Sequence, residues 1–132
     1  MIENKNEKID RVVQLLIWYL NPVFIYMADH TKSEGVLDIA YYLETKADVY
    51  QTHQLEMNAA EIMGVPVEIN NLWESDLILI GDILESGEMV FCRSESERER
   101  FFADFAYNVE MFSMKRRIMI SRMKECASIW EQ

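Results

Sequence analysis

The length, composition and charge of the chain already exclude several classes of protein. Its 132 residues are half hydrophobic and 27% charged, which predicts a single globular domain over residues 1–132 rather than a disordered chain. The formal net charge of -10 disfavours direct binding to nucleic acid, because an acidic surface repels phosphates. No apolar run reaches the roughly 20 residues of a membrane-spanning helix, and the charged N-terminus is unlike a signal peptide. We therefore expect a cytoplasmic protein whose two cysteines, Cys92 and Cys126, are free thiols.

The first half of the chain predicts a helix, a β-hairpin and a second helix. Apolar residues recur at helical spacing until Pro22 stops the first helix. Two short apolar segments, rich in β-branched and aromatic residues, flank a polar turn, as in a hairpin. Gly64 and the following proline mark the end of the second helix. The predicted elements are a helix at 3–20, strands at 23–28 and 36–43 with a turn at 29–35 between them, and a helix at 48–63.

The second half predicts two further strands and two further helices. Ser94 and Glu97 form a capping-box pattern at the start of the last helix. The predicted elements are a strand at 65–70, a helix at 72–87, a strand at 88–92, and a long helix from Ser94 onward. The order α-β-β-α-β-α-β-α predicts an α/β fold with a small mixed sheet of about four strands flanked by helices.

Three segments carry a resemblance to a known family. They are "VLDIAYYL" on the second strand, "GVPVEINNL" around the third, and "SDLILIGDILESGEMVF" across the following helix and strand. In this order and spacing, they resemble the minimal nucleotidyltransferase (MNT) family of the DNA polymerase beta-type superfamily, from about Pro22 to the last helix. The resemblance implies a nucleotidyltransferase-like fold.

The resemblance also implies a nucleotide-binding turn after the first strand. Ala28 and Asp29 stand where the family has a Gly-Ser pair that approaches the nucleotide phosphates. His30 or Lys32 stands for the basic residue often found there. These four residues are the candidate nucleotide-binding residues, although Asp29 adds a negative charge where an anionic triphosphate should lie.

The family's carboxylates are only partly retained. Asp38 takes the place of the second residue of an Asp-x-Asp pair, Val36 replaces the first, and Glu68 takes the place of the third carboxylate. Two carboxylates at i and i+2 lie on one face of a strand and can converge on Mg²⁺. With one replaced, we interpret Asp38 and Glu68 as remnants of a catalytic and metal site, and as the remaining candidates for metal binding.

These departures predict a catalytically inactive nucleotidyltransferase-fold protein that acts through protein contacts. The resemblance implies a helical HEPN-domain RNase as partner, with the MNT protein as antitoxin of a toxin–antitoxin pair. The alternative is a residual enzyme that transfers AMP from ATP to a protein hydroxyl, and only that alternative requires Mg²⁺ and ATP.

The aromatic and methionine residues of the two terminal helices predict a contact surface. Trp18 and Tyr19 widen the apolar stripe of the first helix, and the last helix carries more phenylalanine and methionine than one narrow face can bury. Both a homo-oligomer or hetero-oligomer interface and additional burial within the monomer remain open from the sequence.

Overall fold

The computed structural model describes the backbone of residues 3–130 and the side chains of residues 3–125. The elements occur in the predicted order, and the described chain divides after Arg98 into two compact units. The prediction of a single domain stays a prediction. The elements are α1 (Lys5–Leu20), β1 (Phe24–His30), β2 (Val36–Tyr42), α2 (Val49–Met63), β3 (Val67–Asn71), a 3-10 turn (Leu72–Glu74), α3 (Leu77–Ser86), β4 (Glu88–Cys92) and α4 (Glu95–Trp130).

The four strands form one mixed sheet in the order β3-β2-β1-β4. β1 is antiparallel to both β2 and β4, whereas β2 and β3 are parallel and connected through α2. A parallel pair needs such a crossover, because a tight turn can join only antiparallel strands. The predicted mixed α/β fold with a small nucleotidyltransferase-like sheet is confirmed.

The hairpin is longer than the sequence predicted. The prediction that the turn starts at Asp29 was wrong, because β1 continues through Asp29 and His30, which pair with Leu37 and Val36. The remaining turn is closed by two hydrogen bonds to the His30 carbonyl oxygen, from the N–H groups of Glu34 and Gly35 at 2.8 and 3.0 Å. This extension places two polar side chains on the sheet instead of in a loop.

Side-chain alternation divides the sheet into two faces. One face packs against α1 and α2 and forms the apolar core, to which β1 and β2 contribute Ile25, Met27, Leu37 and Ile39. The other face of the same two strands carries Phe24, Tyr26, Ala28, His30, Asp38 and Tyr42, and the rings of Phe24 and Tyr42 stack there at 5.6 Å.

The predicted helix at 72–87 is interrupted. The Asn71 side chain accepts a hydrogen bond from the Trp73 N–H and stabilises a single 3-10 turn. A new helix, α3, starts after Asp76, whose carboxylate caps the Leu79 N–H. It ends at Gly87, where a Cβ atom would lie 3.1 Å from the Met27 carbonyl oxygen of β1. Gly87 therefore lets the chain pass close to the sheet.

In the second compact unit, α4 displays many apolar side chains to solvent. Phe112 and Met119 are 55% and 62% exposed, and their spacing of seven residues places them on one side of the helix. Other exposed apolar side chains of α4 are Tyr107, Met114, Ile118, Ile120 and Met123.

Two smaller predictions concern membranes and thiols. None of the described helices has the length and apolar character needed to cross a membrane. Cys92 is a free thiol, as predicted, whereas the side chain of Cys126 lies outside the described residues.

Candidate functional site

The candidate site is a row of side chains that crosses three neighbouring strands. Ala28 on β1 lies opposite Asp38 on β2, and Asp38 lies beside Glu68 on β3. The structure thus brings together the two carboxylates that the sequence singled out. Ala28 is fully buried, and the resemblance noted in the sequence aligns it with a glycine of the MNT family.

His30 provides the main polar contact of Asp38. Its Nδ1 atom is 2.7 Å from Asp38 Oδ2, and the two side chains are only 27% and 14% exposed. The contact forms because His30 is two residues beyond Ala28 on the same face of β1, diagonally opposite Asp38. Sequence reasoning placed His30 in a turn and did not identify this pair.

The surroundings of Glu68 disfavour the ionised form of its carboxyl group. A hydrogen bond with the Asp38 carboxyl group raises the pKa of Glu68 most, followed by desolvation and by repulsion from Asp38, Glu56 and Glu34. In its protonated form the Glu68 carboxyl group can donate a hydrogen bond to Asp38, whereas two ionised carboxylates repel each other. The crowding favours a positive charge at this end of the sheet.

The donor atoms do not fit the Mg²⁺ arrangement that the resemblance implies. Val36 occupies the position two residues before Asp38, so the side chain that shares its face is an apolar one. The nearest side-chain contact of Asp38 is an imidazole nitrogen, whereas Mg²⁺ prefers six oxygen ligands. The side chains of this face therefore lack a second aspartate on β2 that could share an ion with Asp38.

Asp29 lies on the opposite face of the sheet from Asp38. Its carboxylate accepts hydrogen bonds from the hydroxyl and N–H groups of Thr31 at 2.6 and 3.0 Å, and it pairs with Lys5 at 3.2 Å. The Thr31 hydroxyl, its N–H group and Lys5, in that order, lower the pKa of Asp29 to about 2. Asp29 thus ties β1 to α1, at a distance from the Asp38 row.

The turn between the two strands supplies one residue that sequence reasoning missed. Glu34 is exposed, yet a carboxylate oxygen of Glu34 lies within 4.8 Å of ligand atoms of both His30 and Asp38. Lys32, a sequence candidate, is exposed in the same turn. The spacing of four residues between His30, Glu34 and Asp38 did not predict that they lie together. Such spacing brings side chains together on a helix, whereas these residues belong to a hairpin.

Comparisons with known proteins match the fold but not the sequence. No protein-family model and no curated protein matches the chain. A chain from a complex of tri-AMPylated Shewanella oneidensis HEPN toxin with MNT antitoxin superposes with a TM-score of 0.74 at 16% identity, covering 91% of this chain and 98% of that one. A chain of the MntA–HepT toxin–antitoxin complex gives a TM-score of 0.74 at 15% identity, covering 90% and 98%.

A third similar structure is a toxin–antitoxin complex with AMP-PNP. Its matching chain gives a TM-score of 0.72 at 16% identity, over 91% of this chain and 98% of that one. At these identities the likeness concerns the fold alone. The chain thus has a small nucleotidyltransferase-like α/β fold that occurs in toxin–antitoxin complexes.

Proposed function

We propose that this chain is a catalytically inactive, MNT-type antitoxin that binds and restrains a HEPN-domain RNase. The observation that carries the proposal is the match over nearly the whole of a chain found in HEPN–MNT complexes. We assign the chain to the MNT side of such a pair because its core is a four-stranded sheet, whereas HEPN proteins are helical.

The chemistry of the Asp38 row supports a role without catalysis. Nucleotidyl transfer depends on positioning and on neutralising phosphate charge with metal ions. Here Val36 stands where the family has one of its carboxylates, and the His30 imidazole contacts the Asp38 carboxylate directly. The buried methyl group of Ala28 adds bulk at the place where the family's glycine lets phosphates approach the backbone.

The exposed apolar side chains of α4 support a protein partner. Large apolar side chains such as Phe112 and Met119 are enriched in protein interfaces and are costly to leave in water. The acidic chain, with its net charge of -10, is electrostatically suited to a basic RNA-binding surface on an RNase.

Two substitutions on α4 test this surface. Phe112→Asp combined with Met119→Asp should weaken co-purification with a co-expressed HEPN-domain partner by more than tenfold, because a few residues carry most of the binding energy of an interface and a buried charge there is costly. Tyr50→Asp is the control, since Tyr50 is 88% exposed on α2. Equal retention of the partner by both variants would contradict the assignment of the contact to α4.

The alternative function is AMP transfer from ATP to a hydroxyl of the partner, which would release pyrophosphate. Two observations favour it. Asp38 and Glu68 lie side by side on adjacent strands, and one complex that contains a chain of similar fold holds a tri-AMPylated toxin. Calorimetric titration with millimolar ATP and Mg²⁺ separates the two functions. We expect no binding of ATP in this titration. Transfer of AMP to the partner that is abolished by Asp38→Ala would instead establish the enzyme.

A further inference from the structure

His30, Glu34 and Asp38 form a compact group of one nitrogen and two oxygen donors. Each can offer one ligand atom, and these atoms all lie within 4.8 Å of one another. The group differs from a purely acidic cluster because its central contact is between an imidazole nitrogen and a carboxylate. It also differs from the family's Mg²⁺ site, which consists of carboxylates on the strands.

The β1–β2 hairpin holds the three side chains in place. The His30 carbonyl oxygen accepts the N–H groups of Glu34 and Gly35, which turns Glu34 back toward the end of β1. Gly35 has a φ of 73°, a left-handed conformation that glycine adopts without strain. The strand register then sets Asp38 diagonally opposite His30. All three donors therefore come from one nine-residue segment whose backbone is already ordered.

The separation of the donors suits a transition metal. His30 Nδ1 and Asp38 Oδ2 are 2.7 Å apart, so a small outward shift that breaks their hydrogen bond lets both atoms bind a single tetrahedral Zn²⁺ ion at about 2 Å. Glu34 is exposed at the turn, so its flexible side chain can close the remaining distance. Imidazole nitrogen is a good ligand for Zn²⁺, Co²⁺ and Ni²⁺, while Mg²⁺ and Ca²⁺ prefer oxygen.

We propose that His30, Glu34 and Asp38 bind a divalent transition metal ion of the Zn²⁺ type at the turn end of the β1–β2 hairpin. Three protein ligands leave one position of a tetrahedral ion for water or for a ligand from a partner. The ion neutralises the carboxylates that crowd Glu68 and clips the β1–β2 turn to the sheet. This proposal is independent of the HEPN partner.

Calorimetry on the untagged and EDTA-treated chain of 132 residues tests the proposal. We expect one Zn²⁺ per chain with micromolar or tighter affinity, and Mg²⁺ binding at least a hundredfold weaker. His30→Ala and Glu34→Gln should each lower the Zn²⁺ affinity by about tenfold or more. Glu34 is exposed in the turn, so its conservative replacement reads out ligation without endangering the fold.

The second histidine of the chain provides a matched control. His53 is exposed on α2, and His53→Ala should leave the Zn²⁺ affinity unchanged. The Co²⁺-loaded chain should show visible absorption bands that are lost in His30→Ala and retained in His53→Ala. Absence of stoichiometric Zn²⁺ binding, equal affinity for Mg²⁺, or an unchanged affinity in both His30→Ala and Glu34→Gln would overturn the proposal.

Discussion

The imidazole of His30 and the carboxylate of Asp38 lie 2.7 Å apart, although eight residues separate them in the chain. The contact engages one of the two carboxylate oxygen atoms of Asp38. It also makes His30 the main partner of a carboxylate that is only 14% exposed. The hairpin thus pairs with His30 a carboxylate that the sequence alone led us to interpret as a remnant of a catalytic site.

Removal of His30 is expected to destabilise the fold. His30→Ala should lower the free energy of unfolding by roughly 1–3 kcal/mol, because it removes the hydrogen bond between the imidazole and the mostly buried Asp38 carboxylate. Urea denaturation in the presence of EDTA measures the change without any metal contribution. His53→Ala is the control and should stay within about 0.5 kcal/mol of the original chain. Equal losses in the two variants would contradict the importance of the pair.

Gly87 should tolerate no side chain, for a steric reason. A Cβ atom there would lie 2.6 Å from the Ile83 carbonyl oxygen and 3.1 Å from that of Met27, so Gly87→Ala should cost about 2–3 kcal/mol of stability. Gly64→Ala is the comparison, since Gly64 has open space around it but a φ of 75°. Its cost should be about 1 kcal/mol. Thermal and urea unfolding of both variants should therefore rank Gly87→Ala as the more harmful.

Asp29 should contribute stability that depends on pH. Its pKa is lowered to about 2 from the ordinary 3.8 by Thr31 and Lys5, so between these values the unfolded chain binds a proton that the folded chain does not. The contribution is therefore present above about pH 4 and is lost as the pH falls toward 2. Asp29→Asn should be less stable than the original chain at pH 7, with a difference that narrows on acidification.

The stability that Glu68 contributes should depend on pH in the opposite direction to that of Asp29. Because its hydrogen bond with Asp38 and its burial raise the pKa of Glu68, the folded chain holds a proton more tightly than the unfolded chain does. The resulting stabilisation is present at low pH and is lost as the pH rises through the raised pKa. Glu68→Gln, which mimics the protonated form, should be more stable than the original chain at pH 8 and equal to it at low pH. An unchanged stability at pH 8 in urea denaturation would contradict the repulsion between Glu68 and Asp38.

The element order and the hairpin could be predicted because their signals are local. Apolar runs, turn residues and the proline after α1 identify each element within a few positions. The predicted element boundaries were wrong where contacts between distant residues determine them. Asp29 and His30 are polar, yet they continue β1 because Leu37 and Val36 pair with them. The break before α3 depends on the side chain of Asn71, which caps a turn that periodicity cannot detect.

The candidate site was only partly predictable. Asp38 and Glu68 were identified through the family resemblance, and the parallel register of β2 and β3 places them side by side. His30 was a candidate from the sequence, but its proximity and that of Glu34 to Asp38 were missed, because this proximity depends on the strand register and the turn conformation of the folded hairpin. Asp29 was grouped with the site by sequence position, but strand alternation directs its side chain to the other face.

Native mass spectrometry of the chain co-expressed with the product of the neighbouring gene, which we expect to be a HEPN-domain protein, tests the central claim most directly. We predict a stable complex in which the mass of the partner equals that of its unmodified sequence. A partner whose mass has increased by AMP groups, lost on Asp38→Ala, would contradict the absence of catalysis. Absence of any complex would contradict the antitoxin function itself.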